Sequence, residues 1–119
     1  MSQRTERVAG EIREILGGIV VRGSIKDPRV RGAGIITITH VRLTGDLRQA
    51  RVFFTVHDAD QAALEKVRVG LQSAAGFMRR EVGERLRLKV TPELTFEIDH
   101  ALEQEDRIEQ LLREVAKKE

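Results

Sequence analysis

Residues 59–88 carry two helical stripes of apolar side chains that do not share a phase. Leu64, Val67, Leu71, Ala74 and Ala75 fall on the first, and Met78, Val82 and Leu86 on the second, with Gly76 between them. Glycine costs ~1 kcal/mol relative to alanine inside a helix, and a phase change at a glycine signals a bend rather than a straight rod. The segment is therefore expected to fold as two short helices meeting at Ala74-Ala75-Gly76. Any fold for the chain must accommodate that corner.

The flanking segments supply what the corner packs against. Val8, Ile12, Ile15, Leu16 and Ile19 recur at spacings of three and four, so residues 4–22 read as a helix, weakened by Gly10, Gly17 and Gly18, whose end either frays or closes at Gly23. A loop is expected over "SIKDPRVRGAG", where Pro28 pushes Asp27 out of helical geometry. Residues 35–43, "IITITHVRL", are β-branched and read as a strand. Their apolar parity switches between Ile38 and Val41, which predicts a bulge near Thr39 or His40. "TGDLRQ" turns the chain, and Ala50, Val52, Phe54 and Val56 alternate on a returning strand. Residues 89–98 predict a third strand with Val90, Leu94, Phe96 and Ile98 inward and Pro92 near its start. Ile108, Leu111, Leu112 and Val115 define a terminal helix. The order predicts a two-layer α+β domain, two bent helices on a three-stranded sheet.

A chain of 119 residues suffices for one such domain. It has no cysteine, which excludes disulfides and thiolate-held metal. No apolar run approaches a membrane span, and the N-terminus lacks a signal-peptide core, so a cytoplasmic, membrane-free protein is expected. The net charge is only +2, but it is unevenly spread. Residues 1–51 hold ten Lys/Arg against five Asp/Glu, whereas residues 97–119 hold four against eight. A basic body with an acidic tail points towards a polyanionic partner.

The element order, with its helix-bend-helix centre, is that of a type II KH domain, in which a glycine loop brings the backbone close to nucleotide phosphates. No Gly-x-x-Gly stands at the bend here. "AAGFMRREVGERLRLKVTPELTFEID" (residues 74–99) instead resembles the ribosome-binding factor A family, whose KH-like fold has an Ala-x-Gly kink in that place. "DPRV" (27–30), "TITHV" (37–41), "GDLRQARVFFTV" (45–56) and "RIEQLL" (107–112) follow in the family's order, so the resemblance spans residues 4–112. Ala101 and Glu105 depart from its pattern.

That resemblance implies an α+β, single KH-like (type II) domain, α-β-β-α-kink-α-β, over residues 1–100, with an acidic helical tail over 101–119. It implies a non-catalytic assembly factor that binds free 30S small ribosomal subunits and 16S rRNA and promotes late maturation and 5′-end processing of that RNA. Small-subunit ribosomal proteins are further candidate partners. A monomer without cofactor or metal is expected. The alternatives are a generic KH-type RNA-binding protein and a protein–protein adaptor outside ribosome assembly.

Candidate contacts follow from charge. Arg79, Arg80, Arg85, Arg87 and Lys89 cluster after the kink, where they can neutralise phosphates with little sequence information or pair locally with Glu81 and Glu84. RNA contact is the preferred reading. Arg4, Arg7, Arg29 and Arg31 form a weaker second set, with Asp27 and Pro28 shaping their loop. Gly76 has two readings: close approach to RNA backbone, or a helix terminus needing positive φ or tight helix contact. The second is preferred, with the kink acting by aiming the helix that follows.

There is no Tyr or Trp, and of the four Phe only Phe53 is expected to face outward, with Phe54, Phe77 and Phe96 in the core. Base-stacking platforms need exposed aromatics, so recognition of folded RNA by backbone and shape is expected. His40, His57 and His100 with Asp58, Asp60 and Asp99 lack any zinc-protease, nucleophile-elbow or phosphate-loop spacing, and catalysis is not expected.

Overall fold

The computed structural model describes residues 2–101, 109 and 111–116. Helix α1 (Gln3–Val21) starts where the Ser2 side chain accepts the Thr5 N–H and buries Val8, Ile12, Leu16 and Ile19 along one side. It closes at Gly23, whose φ of +66° lets its N–H reach the Val20 carbonyl while Ser24 N–H reaches Ile19. Both bonds belong to a Schellman cap, which glycine accommodates without steric cost. The expected 24–34 loop contains one turn of helix, α2 (Pro28–Arg31), because Asp27 caps it and Pro28 presets its first φ.

Strands β1 (Ile36–Leu43) and β2 (Gln49–Val56) form an antiparallel hairpin. Its register shifts between Ile38 and His40, leaving Thr39 as the extra residue of the expected bulge. Thr44 and Asp46 close the turn by a hydroxyl–carboxylate hydrogen bond of 2.6 Å. Helices α3 (Gln61–Ser73) and α4 (Ala75–Leu86) then carry the chain back, so that β3 (Glu93–Ile98) pairs parallel with β2. The sheet order is β1-β2-β3.

Helices cover one sheet face, where Phe54, Phe96, Leu43 and Val52 meet Ile12, Leu16, Leu71, Met78 and Val82 in a core closed to solvent. Two expectations fail here. Val90 is exposed and precedes the strand, because β3 begins only at Glu93; Pro92, immediately before it, is buried instead. Phe77 is also not core: it is 37% exposed, one residue off the Met78–Val82 stripe. Residues 109 and 111–116 are helical, with Leu111, Leu112 and Val115 exposed, while Ile108 and Glu105 lie outside the described residues. Among the described residues no helix is long and apolar enough to cross a membrane.

A polar clamp holds α3 to β3. The Gln72 amide donates to the Leu94 carbonyl at 3.0 Å and accepts the Phe96 N–H at 2.9 Å, matching the backbone of the edge strand as a neighbouring strand would. Gln72→Ala leaves both backbone groups without that partner. It should lower unfolding free energy by about 1–3 kcal/mol, read from the midpoint of chemical denaturation. An unchanged midpoint would show that the edge needs no clamp.

Candidate nucleic-acid interface

The corner between α3 and α4 is made by Ala74, not by Gly76. Ala74 has φ −92° and ψ 6°, its N–H is shared by the Gly70 and Leu71 carbonyls, and its own carbonyl accepts from Met78. One residue thus ends the first helix and begins the second, with no side-chain cap at the start of α4. Gly76 lies inside α4 and is not among the positive-φ glycines, which are Gly23 and Gly34. A Cβ built on it would meet no atom within 4 Å. The expectation of a positive φ or a tight internal contact at Gly76 is therefore overturned. Its bare, exposed backbone is not required by anything inside the fold.

Beside the corner lies a shallow hollow of about 330 Å³ lined by Ser24, Lys26, Asp27, Ser73, Ala74 and Phe77. It joins the segment before α2 to the kink, residues almost fifty positions apart in sequence. The hollow offers two hydroxyls, one ammonium, the Asp27 carboxylate and a part-exposed ring. Sequence reasoning missed Lys26, Ser24 and Ser73, because nothing local indicates that they face the kink.

Asp27 serves structure at this site. Its carboxylate accepts the Arg29 N–H at 2.9 Å and both Nε and Nη2 of the Arg29 guanidinium, at 3.0 and 2.6 Å. The Arg29 side-chain hydrogen bonds, and then its backbone N–H, hold the Asp27 carboxyl at about 2 rather than 3.8. Because the folded-state value is depressed, the stabilisation is present above the ordinary carboxylate range and is lost as pH falls towards 2. Gly70 lets α3 approach this turn; a Cβ there would stand 2.8 Å from Val30 Cγ2.

The basic residues after the kink divide by what they already bind. Arg79 is committed internally: its Nε and Nη2 donate to the Thr91 carbonyl at 3.2 and 2.9 Å, tying α4 to the approach of β3. Gly83 assists, since a Cβ there would meet Thr91 Oγ1 at 2.7 Å. Arg85 lies 3.8 Å from Glu81, one turn earlier. Arg80, Arg87 and Lys89 are exposed and make no side-chain hydrogen bond or ion pair to the described residues. Arg87 caps α4 in left-handed geometry, φ 49° and ψ 43°, turning the chain towards Lys89. Of the weaker set, Arg4, Arg7 and Arg31 are exposed, whereas Arg29 is held by Asp27.

The aromatic and titratable residues take other roles. Phe53 faces the uncovered sheet face as expected, with the Arg51 guanidinium 5.2 Å above its ring and His40 5.9 Å away. Arg51 is ion-paired to Glu97. His57 is 3.3 Å from Asp58 in a solvated turn. Asp99 accepts the Thr39 hydroxyl at 2.6 Å, which lowers its pKa and fastens the β3 end to the bulge. Among the described residues no group of three or more His, Asp or Glu could hold a metal ion.

The sequence profile described as "Ribosome-binding factor A" matches residues 4–112. The chain belongs to the ribosome-binding factor A family. A relative of that name from Geobacter sulfurreducens is 49% identical over 115 residues, covering 97% of this chain and 93% of its own. The solution structure of a Thermotoga maritima putative ribosome binding factor A superposes with a TM-score of 0.69 at 27% identity, over 82% of this chain and 88% of that one. Thermus thermophilus ribosome binding factor A, fitted into a cryo-EM map of a 30S–RbfA complex, shares the fold at a TM-score of 0.62 and 21% identity, over 81% and 96% of the two chains.

Family membership leaves the demands of the kink as a property of this chain. Gly76→Ala should raise stability by up to ~1 kcal/mol, because an alanine fits the helical backbone without contact and restricts the unfolded chain. A thermal melt reads this directly. A fall in melting temperature would mean that the glycine carries a conformation the helix does not have.

Proposed function

We propose that this protein binds free 30S small ribosomal subunits through 16S rRNA and promotes late subunit maturation and 5′-end processing of that RNA, acting by binding rather than catalysis. The observation that carries the reading is the exposed kink: a glycine that nothing inside the described fold requires, beside a hollow with Lys26, Ser24 and Ser73, at the start of a helix whose Arg80 has no side-chain partner among the described residues. A bare backbone lets a phosphate approach closely, and nearby cations release counterions from it. The reading is supported by the family and by the description of its Thermus member in a 30S complex.

In these terms residues 1–100 form the KH-like (type II) RNA-binding body, with the kink in place of a glycine loop, and residues 101–119 form a separate acidic tail. Arg80, Arg87 and Lys89 form the phosphate-facing set, with Lys26 added from the hollow. Arg79, Arg85 and Arg29 support it, because their guanidinium groups are already engaged. Phe53 lies across the sheet from the kink, and the ring at the hollow is the part-exposed Phe77, so contact there is chiefly with backbone and shape.

Two measurements test the proposal. Sedimented from cell lysate at low salt, the protein should travel with free small subunits and not with translating ribosomes; an even spread across ribosomal fractions would reject it. Arg80→Ala with Arg87→Asn should weaken subunit binding and flatten its salt dependence by about 0.7–0.9 in slope per lost phosphate contact. Asparagine tolerates the left-handed backbone at position 87, so the melting temperature should hold. Binding and salt slope equal to wild type would remove these residues from the interface.

A further inference from the structure

The two most exposed large apolar side chains among the described residues sit together at one groove. Val21 is 82% exposed and Ile35 68% exposed. They line a groove of about 360 Å³ with Ile25, Val30, Ile36 and Arg31, formed where the end of α1, the α2 turn and the start of β1 converge. Arg31 is the one cation that lines it; Lys26 lines the adjoining hollow, which shares Ile25 with the groove, and the Arg22 guanidinium lies over Gly18.

The same chain carries a second uncovered apolar stripe. Leu111, Leu112 and Val115 follow helical spacing, and each is more than half exposed. Residues 102–119 hold six Asp/Glu against four Lys/Arg, and Glu109 pairs with Arg113 at 3.7 Å. A helical segment this short is marginal in water without a packing partner, and an amphipathic helix is stabilised by covering its apolar stripe.

The sheet topology puts groove and tail within reach of each other. Asp99 N–H bonds the Phe54 carbonyl, and Ile35 carbonyl accepts from His57, so the tail leaves the sheet at the end of β2 that Ile35 also flanks. Strands are spaced about 4.8 Å apart, which places the two points roughly 10 Å apart across β2. The stretch between residue 101 and Leu111 is long enough for that distance at ~3.3 Å per extended residue, and also at ~1.5 Å per helical residue.

We propose that the groove is a docking site for this protein's own C-terminal helix, with Leu111, Leu112 and Val115 seated against Val21 and Ile35 and an acidic residue of the tail facing Arg31. The docked tail occupies Arg31, one of the sequence's weaker candidate phosphate contacts, and is displaced when a polyanion binds there. Displacement rests on the RNA reading given above; docking does not, since it depends only on apolar and charge complementarity within the chain.

Amide NMR on the full-length protein tests it. Leu112→Gln with Val115→Gln alters only exposed positions, so the core resonances should hold. Relative to wild type, amide shifts should change at Val21, Ile25, Arg31, Ile35 and Ile36, and the reciprocal Val21→Gln should shift residues 111–116. High salt should reduce both changes. Groove resonances identical in wild type and the tail variant overturn the proposal. Groove shifts that grow with protein concentration, together with a doubled mass in sedimentation, overturn it in favour of a second copy of the chain as the occupant.

Discussion

The parallel pairing of β2 with β3 is the constraint on which the rest of the molecule depends. A hairpin returns a chain antiparallel, whereas parallel neighbours need a crossover that brings the chain back to the same end of the sheet. The crossover here is helical from Gln61 to Leu86. As one straight rod it would extend about 39 Å at 1.5 Å per residue, well beyond an eight-residue strand of roughly 27 Å. Breaking it at Ala74 lets α3 lie along β3 and α4 pack between α1 and β3, both over the same small sheet. Gln72 and Arg79, one on each side of the break, are the residues that bond to the β3 segment. The kink that presents Gly76 outward is therefore a by-product of how the sheet is closed.

Much of this was legible because the sheet alternates cleanly. Ala50, Val52, Phe54 and Val56 read as one face and are all buried, and the parity switch after Ile38 correctly located the Thr39 bulge. The Gly23 closure was legible because a left-handed terminus needs that residue type. Errors arose where alternation was extended past its cause. Val90 shares parity with Leu94 and Phe96, but the left-handed Arg87 turns the chain and the strand does not start until Glu93. Phe77 was assigned to the core by its chemistry, although its position lies about 100° around the helix from Met78. The α2 turn was hidden because four residues give no periodicity.

The site was less legible than the fold. That the cations after the kink cluster is a statement about sequence; which of them are available is a statement about acceptors. Only the structure shows Arg79 bonded to the Thr91 carbonyl, or Lys26 brought beside Ala74. The glycine was misread for a similar reason. Sequence marks where a Cβ is missing, not whether its absence serves the backbone, a neighbour or a ligand. Gly70 and Gly83 serve neighbours, Val30 and Thr91, whereas Gly76 faces open space.

The central claim is that this open space belongs to ribosomal RNA. Hydrogen exchange on the intact protein, with and without free small subunits, tests it most directly. Slowed exchange on subunit binding is predicted for residues 24–27, 73–80 and 87–89, the hollow, the kink and the turn after α4, with little change on the uncovered sheet face around Arg42, Arg51 and Phe53. Protection confined to that sheet face, with the kink exchanging as in the free protein, would contradict the account.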